Sequence, residues 1–108
     1  MSATADAYVL HHDTAFGAAL ALVADELSEA YGRFADFNSP HEGKAVIEEE
    51  LDELWGLVKA NTGDTATACG EAIQVAAMAL RYVIDLCDPL EVVRAEREAM
   101  STHSERTA

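Results

Sequence analysis

Between Thr65 and Leu86 the chain reads TATACGEAIQVAAMALRYVIDL, with no proline and with apolar side chains on almost every face of an α-helix. Such a helix cannot stand alone in water, and other helices must cover it. The rest of the chain supplies them. Phe16, Leu20, Val23, Leu27, Ala30, Tyr31 and Phe34 recur at helical spacing behind Asp13 or Thr14, either of which can cap a first helix running to about Phe34. Ser39 and Pro40 start a second helix, with Ser39 at the cap, Pro40 at the first helical position and Glu42 three residues after the cap. Asn61-Thr62-Gly63-Asp64 ends it. Pro89 behind Asp88 allows a short, charged fourth helix over residues 90–100. No stretch alternates with the period of a strand. The expected fold is all-α, four helices whose short loops set neighbours antiparallel.

The 108 residues are enough for one domain. It is expected over residues 14–99, between a flexible leader at 1–13 and a flexible polar tail at 100–108. His11 and His12 are adjacent, so they do not share a helix face, and they read as a surface pair. A chain this short buries a small share of its surface. Helices with more apolar surface than one protomer can cover then favour a homo-oligomer. The start of the chain has no basic region followed by a long apolar run, so no signal peptide is expected. Its apolar stretches are too short and interrupted to span a membrane. Cys69 and Cys87 form no CxxC and no Cys/His cluster, which argues against zinc. They read as reduced, packed thiols of a cytoplasmic protein.

Twenty acidic residues against seven basic ones leave a net charge of −13. Phosphate backbones require a Lys/Arg footprint, so DNA and RNA are poor partners, and anionic membrane surfaces are disfavoured for the same reason. A divalent cation suits this balance. A phosphorylated substrate can bind where metal bridges it to carboxylates.

The second helix carries HEGKAVIEEELDELWGLVK. Ile47, Leu51, Leu54, Trp55 and Val58 form one apolar stripe, and Glu48, Asp52 and Lys59 fall on the far side. Glu50 and Glu53 lie on the flank of the apolar arc, in line with Val46 and Leu57, with Glu49 one turn from Glu53. A run of glutamates is ordinarily a solvated face, and the arc position argues otherwise. Carboxylates three apart stand within ~5–6 Å at Cβ and repel each other, more so when partly buried. A hard cation such as Mg²⁺ removes that repulsion.

On the third helix Glu71, Gln74, Met78, Arg81 and Asp85 share one face. A polar stripe on an apolar helix must find partners, because unpaired buried charge is costly. Glu71 and Gln74 repeat the spacing of Glu50 and Glu53, and two antiparallel helices can bring the four to one point. Arg81 can pair with Asp85 or Glu50, or neutralise a substrate phosphate. Trp55 can stack on a base or pack at the core's edge. Lys44, Lys59 and Arg33 are further candidate phosphate contacts. No P-loop, G-x-S-x-G or Cys/His pair is present.

Glu49-Glu50-x-x-Glu53 followed one helix later by Glu71 resembles the E-E-x-x-E … E-x-x-D signature of the all-helical MazG-like nucleotide pyrophosphohydrolases. HEGKAVIEEELDELW and EAIQVAAMALRYVIDL look like the small phage and actinobacterial members, and the resemblance covers about residues 37–87. His41 resembles a histidine near the start of the motif helix. The resemblance implies a MazG-like bundle completed by a homodimer or homotetramer. It implies Mg²⁺, with Mn²⁺ as a substitute, and hydrolysis of a nucleoside triphosphate to monophosphate and pyrophosphate. Carried over, Glu50, Glu53, Glu71 and Gln74 are the metal-ligand positions, and Glu49 is an outer ligand or the base that orients water. His41, Lys44, Trp55 and Arg81 are the candidate substrate contacts. Gln74 replaces the signature's final Asp, which leaves open a relative that binds a nucleotide or a protein without turnover.

Overall fold

The computed structural model describes residues 14–107, with side chains described as far as Ser101. The leader, with His11 and His12, lies outside the described residues. Four helices follow: α1 (Ala15–Arg33), α2 (Pro40–Ala60), α3 (Thr65–Leu86) and α4 (Pro89–Thr107). There is no strand among the described residues.

Each helix begins where a short polar side chain takes up a backbone N–H that the helix cannot use. Thr14 Oγ1 accepts from Gly17 at 3.0 Å, Ser39 Oγ from Glu42 at 3.2 Å, Asp64 Oδ1 from Thr67 at 3.1 Å and Asp88 Oδ1 from Glu91 at 3.1 Å. Asn61 closes α2 in the left-handed region, φ 49°, which Asn tolerates better than most residues. Glu42 departs from a simple capping box. Its carboxylate reaches back to Asn38, accepting from the backbone N–H at 3.4 Å and from Nδ2 at 3.3 Å.

The third helix is central and packs along both α1 and α2. At the start of α2, a Cβ built on Gly43 would lie 2.6 Å from the Tyr82 ring and 3.2 Å from Leu86. The start of α2 thus presses on the end of α3, and the two run antiparallel. Ala30, Phe37, Ala77 and Met78 are the buried apolar centre, flanked by Val23, Leu27, Val46, Ile47, Tyr82 and Leu86. Asp85 ties the α1–α2 connector to α3. Its carboxylate accepts from the Tyr31 hydroxyl at 2.5 Å and from the Phe37 N–H at 2.9 Å, and Arg81 Nε stands 3.6 Å away. Arg81 also donates to the Ala35 carbonyl, and its guanidinium sits 4.1 Å from the centre of the Phe37 ring. Burial and the bond to Asp85 push the Tyr31 phenol up to about 12.

Four expectations change here. The fourth helix runs on to Thr107 instead of ending near Met100, because no glycine or proline follows to stop it. It makes no substantial packing against the other helices among the described residues. The third helix is less buried than its composition suggests: only Ala77, Met78 and Arg81 are buried, because α1 and α2 cover two sides and leave a third open. Leu51, Trp55 and Val58 do not join the core but stay 50%, 56% and 52% exposed, because α2 meets α3 along Gly43, Val46 and Glu50 instead. Both cysteines are free but exposed, not packed, since Cys69 lies on that open side of α3 and Cys87 caps its end.

Candidate functional site

Because α1 and α2 both lie on α3 without packing along each other, a cleft of about 380 Å³ opens between them. Glu26, Glu29 and Arg33 of α1 form one wall, Val46, Glu49 and Glu50 of α2 the other, and Gln74, Met78 and Arg81 of α3 the floor. At its deep end the antiparallel register puts Glu50 and Glu53 opposite Glu71. One carboxylate oxygen from each lies within 4.8 Å of the other two.

The electrostatics of this trio are unfavourable as they stand. Glu50 Oε2 and Glu71 Oε2 are buried with no hydrogen-bond partner. Burial first, then the charges of Glu53 and Glu71, push the Glu50 carboxyl up from its ordinary 4.5 to about 7. Glu71 is also pushed up, by burial and by the charge of Glu53, with a smaller contribution from Glu26. Crowded carboxylates with orphaned oxygens and only oxygen donors are the set that a hard divalent cation satisfies.

The other expected residues separate into those at the cleft and those away from it. Glu49 is exposed on the α2 wall, and Gln74 is half-buried on the floor, one turn from Glu71. Arg81 faces the cleft, but its guanidinium is engaged with Ala35 and Asp85, and its side chain is 5% exposed. The pairing with Asp85 is the one the i,i+4 spacing suggests, and the partner is not Glu50. Lys44 pairs with Glu48 at 3.4 Å and lines a different groove with Ile47, Ala79 and Tyr82. His41 is exposed on the first turn of α2, outside the cleft lining. Trp55 is also outside it, with the Lys59 ammonium 5.7 Å from its ring centre. Arg33 lines the cleft mouth, paired with Glu29 at 2.7 Å.

Glu26 and Phe34 are cleft residues that spacing alone does not single out. Glu26 reads as part of the solvated face of α1, and only the lie of α1 across α3 brings it toward Glu71. Phe34 reads as the last apolar position of α1, yet it is 59% exposed at the cleft's edge. No helix among the described residues is long and apolar enough to cross a membrane. Comparison of the chain with family models, with curated proteins and with solved structures finds no match.

Proposed function

We propose that the protein is a Mg²⁺-dependent nucleoside triphosphate pyrophosphohydrolase, releasing monophosphate and pyrophosphate. The observation that carries this reading is the Glu50, Glu53 and Glu71 trio, drawn from two helices and facing a cleft large enough for a nucleotide. It is the same set of positions on which the MazG-like resemblance rests. Glu50, Glu53 and Glu71 would hold the cation, with the Gln74 amide oxygen beside them on the floor. When bound, Mg²⁺ would supply positive charge against the phosphate oxygens and activate water for attack. Glu49 stands outside the trio, on the wall, as the carboxylate left to take a proton from the attacking water. Val46 and Met78 keep the inner cleft apolar, which strengthens every charge interaction made there.

The working unit is proposed to be a homodimer or homotetramer. The half-exposed stripe of Leu51, Trp55 and Val58 is more apolar surface than a soluble monomer ordinarily leaves in one place. With an all-acidic cleft, nucleic acid is not a proposed partner.

The test is turnover by Glu53→Gln, which keeps the shape and removes the charge. We expect a loss of more than about 100-fold in kcat/KM, with helix content by circular dichroism unchanged. A second reading, binding without turnover, is favoured by one observation. Gln74 occupies the floor where a fourth charge would lie, and an amide neither carries that charge nor accepts a proton at neutral pH. Nucleotide binding with no product in Mg²⁺ or Mn²⁺ would select it.

A further inference from the structure

Beneath the connector between α1 and α2, the acidic cleft continues into a second pocket of about 250 Å³. The two share Phe34 and Arg81. Val46 and Glu42, on the α2 side of this pocket, stand one and two turns from Glu50, roughly 6 and 12 Å along the helix. That is the reach of a nucleoside from its α-phosphate. Phe34 offers a largely exposed ring as one wall, and the stacked Arg81–Phe37 pair forms another. Aromatic and guanidinium faces of this kind hold flat heteroaromatic rings. The carboxylates of Asp36 and Glu42 on the rim repel a second anion, so a neutral ring fits here and a phosphate does not.

The rim also has a hydrogen-bonding sense. Most of its donors are already in use. The Phe37 N–H goes to Asp85, the Asn38 N–H and Nδ2 go to Glu42, and Arg81 goes to Ala35. What remains is acceptors: the Asp36 carboxylate, the unused lone pairs of Glu42 and the Asn38 amide oxygen. Cytosine, adenine and guanine each carry an exocyclic amino group to donate, whereas O4 of thymine and uracil is an acceptor. A keto edge placed against this rim would meet acceptor with acceptor, and polar sites reject the analogue that leaves them unpaired.

Resting on the nucleotide reading above, we propose that the Phe34–Asn38 pocket seats the base and selects amino-bearing nucleotides over those of uracil and thymine. Asp36 and Glu42 determine that preference, and Phe34 supplies stacking without regard to base.

The experiment is calorimetric titration of the full chain, in Mg²⁺, with the α,β-methylene triphosphates of all five bases, whose bridging carbon blocks cleavage. Cytosine, adenine and guanine analogues should bind about tenfold or more tighter than uracil and thymine analogues. The double variant Asp36→Asn, Glu42→Gln should narrow that gap by strengthening uracil binding. Phe34→Ala should weaken all five together, with Mn²⁺ binding by water proton relaxation unchanged in every variant. Uracil or thymine binding as tightly as the others overturns the proposal and leaves the pyrophosphohydrolase reading standing. A preference that survives the double variant also overturns it. If Mn²⁺ binds but no analogue does, the nucleotide reading falls and this proposal falls with it.

Discussion

A carboxylate that meets two others in a half-dry cleft holds on to its proton, and Glu50 is that carboxylate. Its acid strength moves from the ordinary 4.5 in the unfolded chain to about 7 in the fold. Between those values the native state keeps a proton that the unfolded chain has released, so this group's contribution to stability is lost as pH rises through the window. In EDTA, the melting temperature should fall between pH 5 and pH 8. Adding Mg²⁺ at pH 8 should raise it, because a ligand that binds only the native state stabilises it. Glu50→Gln should flatten the pH dependence, melt higher than the parent in EDTA at pH 8 and lose the response to Mg²⁺. A parent protein indifferent to both Mg²⁺ and Mn²⁺ would argue for an ordinary acidic surface. Asp85 is a different kind of carboxylate, 2% exposed and held by Tyr31, Phe37 and Arg81. Asp85→Ala leaves the buried Arg81 charge without its counter-ion, and urea unfolding should show a loss of about 3–5 kcal/mol. The glutamate trio was legible in the sequence, because three-residue spacing on two consecutive helices leaves few other places for those side chains. Glu26 was not, because which face of α1 turns inward is decided by the crossing of α1 over α3.

The helices themselves were almost fully written in local chemistry. Ser39-Pro40, Asp64 and Asp88-Pro89 each announce a helix start, and Asn61 announces an end, since caps and φ preferences act within a few residues. The far end of α4 was not written, for want of a stop signal, and the structure carries it to Thr107. Gly43 shows how an element positions the site. It lets α2 sit so close to Tyr82 that an added methyl would overlap the ring. Gly43→Ala should cost about 1–3 kcal/mol in stability as α2 is pushed away from α3. The same shift should weaken Mn²⁺ binding at the trio, because Glu50 and Glu53 ride on α2 and Glu71 on α3. Unaltered metal affinity in a destabilised Gly43→Ala protein would show that the site does not depend on that register.

For the whole molecule, size and shape disagree with a self-sufficient monomer. A compact domain of this length has a radius of gyration of about 13 Å, whereas the chain spans 57 × 36 × 27 Å with a radius of 17.3 Å. Surplus apolar surface was legible in the composition of α3, but which side chains stay uncovered depends on how three helices share two interfaces. Light scattering should give a mass of two or more chains. Trp55→Glu should shift it toward one by placing charge in the uncovered α2 stripe. A parent protein that is monomeric at micromolar concentration would contradict the oligomeric part of the proposal.

The central claim is best met by incubating the purified chain with the ribo- and deoxynucleoside triphosphates in Mg²⁺ or Mn²⁺ and separating the products. The expected result is monophosphate with pyrophosphate in equal amounts, abolished by EDTA and by Glu53→Gln. Diphosphate with orthophosphate, turnover that survives Glu53→Gln, or no product from any nucleotide would contradict it.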